Sequence, residues 1–120
     1  MNSLLKIATK QARQSEVRCQ HGAVVSRGGS ILSAAHNTYN KHPRWGSGPM
    51  YSIHAEAAAI RTAVRKGIDL RGATIVVVRT GNTSQMSKPC EACQALIEKY
   101  GIRKVRYTDE DGNIITEIPL

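Results

Sequence analysis

Four residues of this sequence combine the chemistry of a metal site with that of a proton carrier: His54, Glu56, Cys90 and Cys93. Cys90 and Cys93 form a Cys-x-x-Cys pair behind Pro89, the usual layout of thiolate metal ligands in a reducing compartment. Three residues apart, they fall on the same side of a helix start. Unpaired N–H groups and the helix dipole there favour thiolate over thiol. His54 and Glu56 are two apart and would diverge inside a helix, so they share one site only near a helix end. Two helix N-termini meeting at one metal is the geometry these spacings imply. One His and two Cys are three protein ligands, and zinc so held keeps a fourth position for water, as catalytic sites do. Zinc lowers the pKa of such a water to about 7. Glu56, close to the metal without binding it, is suited to take the water proton and pass it on. Taken alone, the Cys-x-x-Cys pair also fits a structural zinc knuckle or a redox pair, and His54 a histidine that merely begins a helix. The combination with Glu56 and Pro89 favours the catalytic site.

The elements that must position these residues follow from periodicity. Residues 3–16 place Leu4, Leu5, Ala8, Ala12 and Ser15 on one face, which predicts an amphipathic helix. Residues 22–27 and 30–36 are β-prone runs around Arg27-Gly28-Gly29-Ser30, a hairpin signal. The Gly-, Pro- and Asn-rich stretch from Asn37 to Pro49 predicts a long, functional loop. A helix is expected over 54–66, with Ala57, Ile60 and Val64 at helical spacing and Gly67 as its stop. Residues 73–79 hold an uninterrupted β-branched run suited to a central strand covered on both faces. Residues 89–100 restart a helix with Pro89 in its first turn and Gly101 closing it. Runs at 104–108 and 114–118 flank Asp109-Glu110-Asp111-Gly112-Asn113, a strand-turn-strand ending. The order α-β-β-α-β-α-β-β predicts an α/β protein, a three-layer α/β/α sandwich around a mixed five-stranded sheet whose last two strands form a hairpin.

The 120 residues have room for one compact domain, 1–120, with a core that needs no disulfide staples. The odd count of three cysteines fits a disulfide framework poorly. Cys19 and His21 alone are too few ligands for a second metal, so Cys19 is expected to be a buried thiol. No apolar run is long enough to span a bilayer, and residues 1–6 lack the features of a signal peptide, so a cytoplasmic protein without a membrane partner is expected. The formal net charge of +8 suggests an anionic partner, a nucleotide phosphate or a nucleic-acid backbone, beside the plainer reading of a soluble basic surface. Just ahead of His54, Lys41 and Arg44 are suited to hold phosphate and Trp45 to stack on a base. A solvated loop with Trp45 packed on the core would use the same residues.

His-x-Glu paired with Pro-Cys-x-x-Cys is the known signature of zinc nucleobase deaminases, and the chain resembles the cytidine and deoxycytidylate deaminase superfamily over nearly its full length. The resemblance implies a cytidine deaminase-like fold, Zn2+ held by His54, Cys90 and Cys93, and Glu56 as proton shuttle. Gly22-Ala23-Val24-Val25 resembles the family's first strand. Asn37 stands where the family carries an asparagine that contacts substrate, and the backbone amide of Ala55 is expected to meet the base. An amide side chain both donates and accepts, as a nucleoside requires; alternatively Asn37 simply begins the loop. The substrate signals are mixed. The histidine form of the first motif resembles deoxycytidylate, tRNA adenosine and polynucleotide cytidine deaminases. Ala58, however, stands where deoxycytidylate deaminases commonly place asparagine, and the tight C-terminal hairpin resembles the free cytidine deaminases. The expected activity is hydrolytic deamination of cytosine in a nucleotide such as dCMP, giving uracil and ammonia. The alternatives are deamination of cytosine or adenine in single-stranded DNA or RNA, including tRNA, and a non-catalytic zinc module used for binding. A homo-oligomer is expected from the resemblance.

Overall fold

The Thr-Ile-Val-Val-Val run lies at the centre of a five-stranded sheet. The computed structural model describes residues 2–15, 20–39, 52–80 and 86–118. Their elements are α1 (Asn2–Arg13), β1 (Gln20–Arg27), β2 (Ser30–His36), β3 (Thr38–Tyr39), β4 (Ser52–Ile53), α2 (Ala55–Arg65), β5 (Thr74–Thr80), α3 (Glu91–Lys99), β6 (Lys104–Thr108) and β7 (Ile114–Glu117). The sheet order is β2-β1-β5-β6-β7, with only β5 and β6 parallel. Alternation along β5 sends Ile75 and Val77 to one face and Val76 and Val78 to the other. Both faces are apolar because both are covered. The expected mixed sheet, its helix layers and the closing β6–β7 hairpin are all present.

Helix α1 covers one face through Ala8 and Ala12, which pack with Val24, Val76 and Val78. It lies unusually close to β1. A Cβ at Gly22 would run into the Ala8 carbonyl oxygen and stand 2.6 Å from the Ala12 nitrogen. The glycine and the two alanines together set the distance between helix and sheet. Helices α2 and α3 cover the opposite face, with Ala59, Ile60, Ala63 and Ile97 against Ala23, Val25, Ile75, Val77, Val105 and Tyr107. The β1–β2 turn uses Gly28 and Gly29 at φ 57° and 84°, the paired positive angles of a tight hairpin turn.

Three local expectations are corrected. The buried side of α2 is Ala55, Glu56, Ala59, Ile60 and Ala63, whereas Val64 is exposed and Ala57 only half-buried. Small alanines let this helix approach the sheet, so close packing and not side-chain size selects the inner face. Pro89 precedes α3, because Cys90 has extended dihedrals and is the N-cap. The stretch after Asn37 is not all loop, since Thr38–Tyr39 and Ser52–Ile53 pair as a two-stranded ribbon directly before His54. No helix among the described residues is long and apolar enough to cross a membrane.

Candidate zinc and catalytic site

The site lies where two helices begin. His54 is the N-cap of α2 and Cys90 the N-cap of α3, both extended, and neither side chain caps its own helix. Their carbonyl oxygens accept the first helical bonds, from Ala58 N at 2.9 Å and Gln94 N at 2.8 Å. The main chain thus begins each helix while imidazole and thiol remain available. Cys93 lies one turn into α3, buried, and the Gln94 side-chain amide donates to Pro89 O at 2.8 Å, closing the start of the helix.

His54 Nδ1 is 3.5 Å from Cys90 Sγ and 3.3 Å from Cys93 Sγ, and the three ligand atoms lie within 4.8 Å of one another. Zn–S and Zn–N bonds of about 2.3 and 2.0–2.1 Å in a tetrahedron place sulfur and nitrogen about 3.6 Å apart. The donor set therefore fits Zn2+ closely. At Cys93 the thiolate preference expected from the helix start is outweighed while no cation is present. Burial, reinforced by the neighbouring Glu56 carboxylate and by Cys90, holds the Cys93 thiol well above the ordinary cysteine range. A thiol so placed beside a carboxylate becomes a thiolate when a cation is supplied.

Glu56 is in the first turn of α2 and 4 % exposed, against Cys93. The offset that would separate His54 from Glu56 inside a helix is removed because His54 stands outside it. Cys93 and Glu56 form the inner wall, and His54 and Cys90 are exposed at the mouth. Ala55, between His54 and Glu56, is fully buried at the first helical position, where a backbone N–H has no partner within its helix.

Asn37 directly follows β2 and is 4 % exposed. Its Oδ1 accepts from His21 N at 2.9 Å, its N–H donates to His21 O at 3.1 Å, and its carbonyl accepts from Ser15 Oγ at 2.7 Å. The residue is thus fixed between β1 and the end of the α1 segment. Arg44 and Trp45 lie outside the described residues, as does Cys19.

Ser87 was not legible as part of this arrangement. It is 1 % exposed, donates from Oγ to Val77 O at 2.7 Å, accepts from Thr108 N at 2.7 Å, and lies 2.9 Å from Thr108 Oγ1. Its own N–H donates to Thr108 O at 2.9 Å. These bonds tie the segment entering Cys90 to the middle of β5 and the end of β6. Ser87→Ala removes the donor to Val77 O and the acceptor for Thr108 N–H at a buried site. A loss of about 1–3 kcal/mol is expected, with weaker zinc retention, measured by urea unfolding and by competition with a chromogenic chelator.

A family model described as the cytidine and deoxycytidylate deaminase zinc-binding region matches residues 1–109. The chain belongs to this family. No curated protein matches the sequence. Solved structures of deaminases share its fold. A cytidine deaminase from Burkholderia pseudomallei is 19% identical at a TM-score of 0.76, over 98% of this chain and 91% of the other. A dCMP deaminase from the cyanophage S-TIM5 is 22% identical at 0.68, over 89% and 80%. A structure from studies of tRNA:A34 deaminases, which carry out A-to-I editing at the wobble position of transfer RNA, is 26% identical at 0.64, over 93% and 80%. The His54–Cys90–Cys93 cluster lies within the matched residues, and its donor set fits Zn2+.

Proposed function

We propose that residues 1–120 form one deaminase domain that hydrolyses the exocyclic amine of cytosine in a nucleotide such as dCMP, giving the uracil form and ammonia. The observation that carries this reading is the buried Glu56 carboxylate against a three-donor zinc cluster that is exposed at its mouth. A purely structural zinc module has no use for such a carboxylate.

His54, Cys90 and Cys93 would hold the metal. Zinc bound there supplies Lewis acidity that makes water a nucleophile at neutral pH. Glu56 takes a proton from the attacking water and delivers it to N3 of the base as the C4–O bond forms. The same carboxylate then moves the proton of the new C4 hydroxyl to the amino group, the C4–N bond breaks as the C4 carbonyl forms, and ammonia leaves. The Ala55 N–H at the start of α2 is aligned with the positive end of the helix dipole and suits a carbonyl oxygen of the base. Asn37, fixed by His21, offers an amide to the sugar or base, and Arg44 and Trp45 are assigned to phosphate and base contact. The family's description favours cytosine, and a net charge of +8 favours a phosphorylated substrate over a neutral nucleoside. Cytoplasmic location and homo-oligomeric assembly belong to the same reading.

A second reading, deamination of a base in single-stranded RNA or DNA, is favoured by the 26% identity to a structure from the tRNA:A34 deaminase studies. The deciding experiment follows ammonia from zinc-loaded protein offered cytidine, dCMP, dCTP, single-stranded DNA and tRNA. Turnover of dCMP above cytidine is expected. Activity confined to polynucleotide would replace the first reading with the second, and no ammonia from any substrate would remove both.

A further inference from the structure

We propose that the outer face of α1 binds the phosphodiester backbone of single-stranded nucleic acid through Lys6, Lys10 and Arg13. These residues recur at helical spacing, so they form one stripe, about 10 Å long at 1.5 Å per residue. All three are exposed, while Ala8 and Ala12 on the other side are buried against the sheet. Helix α1 contains no Asp or Glu, and among the described residues none of the three cations is in a salt bridge.

The charge of the whole sequence is distributed the same way. Residues 1–66 carry ten Lys and Arg against two Asp and Glu, whereas residues 67–120 carry seven of each. The entire formal surplus therefore belongs to the part of the chain that begins with α1. Strand β6 adds to the same face. Val105 and Tyr107 point into the α2–α3 core, so alternation turns Lys104 and Arg106 toward the α1 side. Helix α1 packs on β1, β2 and β5, which leaves β6 beside it.

The C-terminal end of α1 is bonded to the segment that precedes the site. At the end of α1, Gln11 Oε1 is 3.2 Å from His36 Nδ1, and Ser15 Oγ bonds the carbonyl of Asn37 at 2.7 Å. Thr38–Tyr39 then pairs with Ser52–Ile53, which enters His54 directly. The C-terminal end of α1 therefore meets the end of β2, from which Thr38–Tyr39 runs beside the segment entering His54. A base reacts only when out of its stack, which favours a single strand over a duplex. The apolar side of α1 is spent on the sheet, so the helix has no face left to insert into a lipid surface. The binding surface stands on charge and placement, and only its link to turnover rests on the deaminase reading.

The test is fluorescence anisotropy with a labelled 20-nucleotide single-stranded DNA across a salt series, using the zinc-loaded protein. Each phosphate contact contributes about −0.7 to the log–log salt slope for a single strand. The triple variant Lys6→Gln, Lys10→Gln, Arg13→Gln is expected to flatten that slope by about 2, which from a common value at about 1 M salt weakens binding on the order of 10²-fold or more at about 50 mM. The charge-preserving variant Lys6→Arg, Lys10→Arg, Arg13→Lys should bind as the wild type does, and turnover of free dCMP should be equal in all three proteins. An unchanged slope in the triple Gln variant overturns the proposal. So does binding to phosphatidylserine vesicles without binding to the oligonucleotide. Oligonucleotide binding through the stripe with no ammonia from any substrate leaves the surface standing and removes the deaminase reading alone.

Discussion

Glu56→Gln is expected to lower ammonia release by about 10²–10⁴-fold, the span of a single general acid–base group, while zinc content stays at the wild-type level. The separation of the two readouts follows from position. Glu56 lies against Cys93 without belonging to the His54–Cys90–Cys93 donor set. Glutamine keeps its volume in a pocket that leaves the residue 4 % exposed, so the first turn of α2 is retained. What disappears is the capacity to carry a proton from water to the base and then to the amine. Removing a negative charge from beside Cys93 also makes its thiolate easier to form. Single-turnover ammonia release together with metal analysis checks this. Turnover within a factor of ten of the wild type would exclude Glu56 as the shuttle.

Cys93→Ser is expected to abolish zinc binding and to lower the melting temperature by on the order of 10 °C. Zinc at a thousandfold over its dissociation constant stabilises by about 4 kcal/mol, and each kcal/mol shifts the midpoint by a few degrees in a domain of this size. A metal held by Cys93 in the first turn of α3 and by His54 at the start of α2 would link the two helices, adding to their apolar packing and to the Glu56–Cys93 contact. Stripping the wild type with a chelator should produce the same fall, and the chelator should leave the Cys93→Ser protein unaffected. Calorimetry with and without chelator reads both. A wild-type midpoint that ignores chelation would show that zinc does not hold these helices together.

The strongest features of the sequence are those where local chemistry and tertiary placement agree. The β-branched run at Thr74–Thr80 admits little besides a strand, and its two apolar faces already require covering layers. The offset between His54 and Glu56 already excludes a helix interior, and the N-cap position of His54 is the consequence. Where the sequence misleads, packing has the last word. Val64 has the hydrophobicity of a core residue, yet the alanines beside it permit the closer helix–sheet contact and take the inner face. Pro89 suits a first turn, but the chain begins α3 one residue after Cys90, which leaves that thiol free of the helix. Ser87 gave no signal because a serine near a turn looks the same whether solvated or buried. Its role comes from Val77 and Thr108, ten and twenty-one residues away. Asn37 is similar: its family position was legible, its attachment to His21 and Ser15 was not.

The most direct test of the account is zinc-edge X-ray absorption on the purified protein, combined with metal analysis. One zinc per chain is expected, with two sulfur neighbours at about 2.3 Å and two light-atom neighbours at about 2.0–2.1 Å. That shell has the two cysteines, the histidine and one position left over for chemistry. A shell of three or four sulfurs, or a protein that retains no zinc, would contradict it.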